Sequence, residues 1–195
     1  MEQFGFMEFL IDNGANVHVD NDYLLRWNAR NGRADIIKKL IEKGADIHVN
    51  CEEALRQSAE RGHLNAVKYL VEKGADIHAE NEESLRKSTE NGYFSVVKFL
   101  VAKGADVHIE NDYPFRYSAH KVNLELMQFF IEKGANINAY NVNDNQFHNI
   151  HCYHARDTEC ISIAKLKEIR AMMPIKINTF AYTIDDYIKN WLWKP

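Results

Sequence analysis

Two ladders of side chains capable of chemistry run through this chain with a step of 30 residues: His18, His48, His78 and His108, and Arg26, Arg56, Arg86 and Arg116. Imidazoles in register invite metal binding or a response to pH. Successive units of a helical stack lie roughly 8–10 Å apart, however, whereas a metal–nitrogen bond is about 2 Å, so neighbouring rungs cannot share one ion. The histidines therefore read as structural or solvated loop residues. Guanidinium groups in register invite recognition of carboxylate or phosphate. Glu52, Glu53, Glu82, Glu83 and Asp112 recur beside them, so the arginines are expected to pair between neighbouring units.

A third group is irregular: His148, His151, Cys152, His154 and Cys160. Its ligands suit zinc, but the spacing fits neither a Cys-x2-Cys pair nor a finger pattern, and no metal ligand is assigned there. A zinc-binding module on this cluster stands as one alternative function. No phosphate-binding glycine loop, nucleophile elbow or two-histidine helix motif occurs, which points to a non-enzyme without a cofactor.

The elements that must position these ladders repeat with them. Gly-Ala-Asp or Gly-Ala-Asn returns at Gly14, Gly44, Gly74, Gly104 and Gly134. Self-similarity at this period means stacked supersecondary units that cannot bury their apolar faces alone. Within a unit, Ile36, Ile37, Leu40 and Ile41 and their copies fall at i, i+1, i+4 and i+5, one face of a helix. Lys43, Lys73, Lys103 and Lys133 suit its negative end, and the next glycine stops it. Another helix, of about two to three turns, precedes it, ended by Gly32, Gly62 or Gly92. Asn21, Asn81 and Asn111 are expected to cap that helix, while Asp22, Glu52, Glu82 and Asp112 suit its positive end; Cys51 breaks the Asn pattern. Four helix pairs are predicted at about residues 22–43, 52–73, 82–103 and 112–133.

The tract Gly62-His-Leu-Asn-Ala-Val-Lys-Tyr-Leu-Val-Glu-Lys-Gly-Ala-Asp and its copies resemble the second half of the ankyrin repeat over residues 1–142. The ankyrin unit is about 33 residues with a T-P-L-H-x-A opening. Here that opening is Tyr23-Leu-Leu-Arg, Glu53-Ala-Leu-Arg, Glu83-Ser-Leu-Arg and Tyr113-Pro-Phe-Arg, with Arg in place of His, and the missing residues fall in the finger loop. Short units with this arginine look like the ankyrin arrays of amoeba-infecting giant DNA viruses. The resemblance implies an all-α solenoid of antiparallel helix pairs with short finger loops. It divides the chain into an N-terminal half repeat and finger at 1–21, four repeats over 22–143 (22–51, 52–81, 82–111 and 112–143), and a divergent helical cap at 144–195. The half repeat leaves Phe4, Phe6 and Phe9 poorly covered. Val122 stands where the helix-ending glycine belongs, so the turn is expected to change there. Near the end, Thr183-x-x-Asp186 resembles a capping box before Tyr187, Ile188, Trp191 and Leu192.

Composition excludes several partners. Hydrophobic residues make up 46% and charged residues 27% of 195, with a formal net charge of -4, which is ordinary for a folded domain. Residues 1–134 carry 17 Lys and Arg against 22 Asp and Glu, so the field that nucleic-acid binding needs is missing. No apolar run reaches the roughly 18 residues of a membrane span. Three cysteines, and an acidic residue near the start where a signal peptide is basic, are read as a reduced, intracellular chain, in the host cytoplasm if it is viral.

What varies between the aligned units is the first-helix surface. It carries Tyr23, Glu53, Glu83 and Tyr113, then Trp27, Gln57, Lys87 and Tyr117, then Arg30, Glu60, Glu90 and His120. In ankyrin arrays the first helices and fingers line the concave surface that binds partners. The expected function is thus a protein-interaction scaffold, with Tyr23, Trp27, Arg30, Glu53, Gln57, Glu83, Lys87, Tyr113 and Tyr117 as partner-binding residues. A second alternative is an adaptor that links a bound protein to ubiquitin ligase machinery through the terminal segment, where Met172-Met-Pro-Ile-Lys-Ile faintly resembles a docking box.

Overall fold

In the computed structural model the chain is described over residues 2–121 and 123–136. Val122, the His/Cys cluster, the sequence around Met172 and the capping box at Thr183 lie outside these residues, as does the cap expected at 144–195. The chain divides into two compact units at the Pro114–Phe115 bond.

The first unit is entirely helical among its described residues. It begins with α1 (Glu2–Asp12) and continues as pairs: α2 (Val19–Arg30) with α3 (Ala34–Glu42), α4 (Val49–Glu60) with α5 (Leu64–Glu72), and α6 (Ala79–Glu90) with α7 (Phe94–Ala102). The next helix, α8 (Ile109–His120), contains the division, and α9 (Leu124–Glu132) belongs to the second unit. In the first unit α2, α4 and α6 each pack on their own second helix; α2 stacks on α4 and α4 on α6, as α3 does on α5 and α5 on α7. This is the helix-pair solenoid that the repeat spacing predicts.

The second helices form because their apolar spacing closes one face. Ile36, Ile37 and Leu40 are buried, as are Ala66, Val67 and Leu70, and Val96, Val97 and Leu100. Ile41, Val71 and Val101, at the edge of the stripe, are only half-buried. Termination follows the glycine. At Gly74, φ is +102°, the amide of Gly74 bonds the Val71 carbonyl, and the amide of Ala75 reaches back to Leu70 at 3.0 Å. These paired bonds satisfy carbonyls that would otherwise be orphaned. Gly62 does the same for α4 at φ +76°, and here space matters too: a Cβ would stand 2.5 Å from the Tyr93 ring. Side chains of one repeat thus pack on the turn of the previous one.

The first helices begin differently from the expectation. Asn21, Asn81 and Asn111 do not cap them. A capping residue has an extended backbone, whereas these asparagines have φ of 54°, 57° and 56° and lie inside left-handed turns at Asp20–Asp22, Glu80–Glu82 and Glu110–Asp112; Asn50–Glu52 repeats the turn with Cys51 in the Asn place. Asn tolerates this conformation, which costs other residues roughly 1–2 kcal/mol. Right-handed helix resumes at Tyr23, Glu53, Glu83 and Tyr113, so Pro114 falls in a first turn, where its missing N–H breaks no helical bond.

The acidic residue closing each turn stands in the first turn of the helix, as expected. Asp22, Glu52, Glu82 and Asp112 are also 4–5% exposed, and each receives the Nδ1 of the histidine four residues earlier. The distances are 3.1 Å for His18–Asp22, 2.5 Å for His48–Glu52 and 2.7 Å for His108–Asp112, and His78 pairs with Glu82 in the same way. The histidine ladder is structural because a buried carboxylate needs a donor.

At the start, α1 leaves Phe6 62% and Phe9 59% exposed. Phe6 aligns with Ile36, Ala66 and Val96, all buried, so its exposure matches the open half repeat read from the sequence.

Candidate protein-binding surface

Arginine fixes the first helices before any partner is considered. Arg56 donates from Nε to the Cys51 carbonyl at 2.8 Å, from Nη2 to the Asn50 carbonyl at 3.0 Å, and from Nη1 to Glu83 of the following unit. Arg26 does likewise, reaching the carbonyls of Asn21 (3.0 Å) and Asp20 (2.8 Å) and Glu53 (2.9 Å). Arg86 keeps both carbonyl contacts and meets Glu110 at 3.9 Å. One guanidinium thus holds the left-handed turn and the next repeat together. A histidine at this position has too few donors to do both.

Of the residues read as partner-binding, several have intramolecular partners. Glu53 accepts from Arg26 and, at 2.9 Å, from Asn50. Burial alone would raise its carboxyl, but the Asn50 amide and the guanidinium groups of Arg26 and Arg56 outweigh that and hold it below the ordinary range. Glu83 is paired with Arg56. Lys87 donates to Glu90 at 2.9 Å, and Tyr113 donates its hydroxyl to the other oxygen of Glu90 at 2.8 Å. The hydrogen bond to Glu90 raises the Lys87 ammonium above its usual value. Sequence reasoning missed Glu90 as the group joining Lys87 to Tyr113; at that position Arg30, Glu60 and Glu90 look interchangeable.

Another set is left without such work. Tyr23 is 49% exposed, Arg30 is exposed, and Trp27 and Gln57 are half-buried. Among the described residues the side chains of Trp27, Arg30 and Gln57 make no hydrogen bond or ion pair, and Tyr23 meets only the Arg26 guanidinium, 5.6 Å from its ring centre. Nearby, the imidazole of His63 donates from Nε2 to the Arg30 carbonyl at 3.0 Å, pinning the turn beside them.

Tyr117 belongs to the second unit. Its ring lies 6.4 Å from that of His120 and 5.7 Å from the Lys121 ammonium. Burial, and then the charge of Lys121, keep the His120 imidazole below its ordinary value.

Among the described residues no group of three or more His, Cys, Asp or Glu side chains is arranged to hold a metal ion, and no helix is long and apolar enough to cross a membrane. The chemistry available on the first-helix face is aromatic contact, guanidinium and amide hydrogen bonding, and charge.

A search of curated proteins returned no match to this chain. A family model of ankyrin repeats in three copies matches residues 2–81 and 25–111. With paired helices, glycine-stopped turns and the 30-residue step all in register with that match, the chain belongs to the ankyrin repeat family.

Proposed function

We propose that this chain is a non-catalytic scaffold that binds a protein partner on its first-helix, concave face, with Tyr23, Trp27, Arg30 and Gln57 as the anchor. Ankyrin repeats are generally protein–protein interaction modules and typically not enzymes. The observation that carries the finer reading is the uneven use of this face. Glu53, Glu83, Lys87 and Tyr113 hold other residues of the chain, while the side chains of Trp27, Arg30 and Gln57 have no polar partner among the described residues. Binding hot spots are enriched in Trp, Tyr and Arg, which have large contact area and directional donors. Glu53, Glu83, Lys87 and Tyr113 then shape the surface around that anchor.

The reading is tested by capturing partners from expressing cells with the full chain and measuring their affinity for variants. Trp27→Ala with Arg30→Ala should weaken binding at least about tenfold while the helical circular dichroism stays unchanged. Exchanging the exposed Lys38, Lys68 and Lys98 of the second helices for alanine should leave binding nearly unaltered. Equal losses from the two sets would refute the concave-face reading.

The adaptor reading and the likeness to giant-virus arrays rest on sequence resemblance alone. A cullin or adaptor pull-down, with and without residues 144–195, distinguishes an adaptor from a simple scaffold.

A further inference from the structure

The four finger histidines share one construction. His48 follows a turn in which its own amide donates to Asp46 Oδ1 at 2.9 Å, and His78 repeats this with Asp76. Each imidazole is more than half exposed, whereas the carboxylate it meets is 5–6% exposed. Glu52 and Glu82 close the left-handed turns at φ 62° and 58°. In both, Oε2 is buried and receives no hydrogen bond among the described residues, so the histidine is the principal donor to an otherwise under-satisfied charge. Glu82 also accepts the backbone amide of Asp106 in the next finger at 3.1 Å. The carboxylate therefore ties its own turn to the following repeat.

We propose that His48 and His78 are protonation-controlled latches on the finger turns: the imidazolium holds the buried Glu52 or Glu82 and the left-handed turn with it, and loss of the proton loosens both. This is independent of the partner-binding reading. A neutral imidazole still donates from Nδ1, but the bond is then no longer between two charges and weakens accordingly. The charged groups that act most strongly on each latch are acidic. Glu52, Asp46 and the next finger's Asp76 act on His48; Glu82, Asp76 and the next finger's Asp106 act on His78.

The hydrogen bond to the glutamate, reinforced by these charges and opposed by burial, raises both imidazoles above the ordinary histidine value. A raised value in the folded chain means that folding takes up protons. The stabilisation is therefore fully present below about pH 6.5, the value of unfolded histidine, and is lost as pH rises through the folded value above it. Because repeats are stabilised through their neighbours, two loosened fingers weaken the interfaces on either side as well.

The test is an NMR titration of the His48 and His78 ring protons in the full chain, together with urea denaturation at pH 6 and pH 9. Titration midpoints above about 6.5 are expected, with Glu52→Gln and Glu82→Gln returning them toward that value. The urea midpoint should fall from pH 6 to pH 9, and the fall should shrink in the His48→Gln/His78→Gln chain. The other histidines are the same in both chains and cancel in the comparison. Midpoints at or below about 6.5 in the unaltered chain would overturn the proposal, as would an unchanged fall in urea midpoint in the double variant. The titration of the unaltered chain decides even where a glutamine variant does not fold.

Discussion

The first and second helices of each repeat are neighbours of similar length, yet they are stabilised by different physics. In α3, α5 and α7 the buried residues are apolar, and they change freely among Ile, Ala and Val at positions 36, 66 and 96. In α2, α4 and α6 the buried set includes polar or charged residues, two of four, two of five and four of five: Asp22 and Asn28, Glu52 and Ser58, and Glu82, Ser84, Ser88 and Thr89. All of these but Ser84 reach backbone or histidine donors and acceptors at defined angles, as when Asn28 donates to the Leu24 carbonyl at 2.7 Å or Thr89 to that of Leu85 at 2.8 Å. Apolar burial is non-directional and supplies most of the stability; hydrogen bonds to buried groups add modestly but are expensive to leave unmade. The second helices thus contribute apolar burial alone, and the first helices add directional contacts that fix how each repeat sits on the next.

The comparison breaks most decisively at Leu70, which is fully buried in α5. Leu70→Ala should cost about 2–5 kcal/mol in urea denaturation through lost burial and the cavity left behind. The loss should also broaden the transition, since a central repeat couples both halves of the stack. A cost under about half a kcal/mol would mean that volume does not hold the second helices.

A sharper probe of the directional side is Arg56→Lys. The charge stays, but a single ammonium cannot span the Asn50 and Cys51 carbonyls and Glu83 together. A loss of about 1–2 kcal/mol is expected, of the order of one or two hydrogen bonds involving a charged group. A double-mutant cycle with Glu83→Gln would separate the inter-repeat pair from the turn contacts. If lysine substitutes without loss, charge alone suffices and the fork geometry is irrelevant.

The smallest effect is expected at Ser58, whose hydroxyl donates to the Ala29 carbonyl of the preceding repeat at 3.2 Å. That carbonyl also accepts the Gly32 amide, so Ser58→Ala leaves no orphaned acceptor and should cost about 0.5–1.5 kcal/mol by thermal or urea denaturation. A loss as large as that of Leu70→Ala would erase the distinction between the two kinds of helix.

Much of this architecture is legible in the chain itself. The 30-residue return of glycine gives the helix ends, because a left-handed C-terminal position strongly favours glycine. The spacing of Ile36, Ile37, Leu40 and their copies gives the buried face, because helical geometry brings i and i+4 together. Even the pairing of Arg26 with Glu53 and of Arg56 with Glu83 follows from two ladders recurring side by side. These are local or periodic properties, and a sequence states them directly.

The finger turns and the candidate surface are another matter. Asn21, Asn81 and Asn111 are equally compatible with a cap and with a left-handed turn; the arginine bonds to the Asp20, Asn21, Asn50 and Cys51 carbonyls accompany the second. Which members of the variable face are occupied was likewise invisible, since Glu83 is held only because the preceding repeat brings Arg56 to it. The sequence by itself determined where helices stop and which faces they bury, because those depend on backbone conformation and periodicity. Only the tertiary structure decided which polar side chains serve the stack and which stand free of it, because a hydrogen bond exists only where three-dimensional packing brings donor and acceptor within reach.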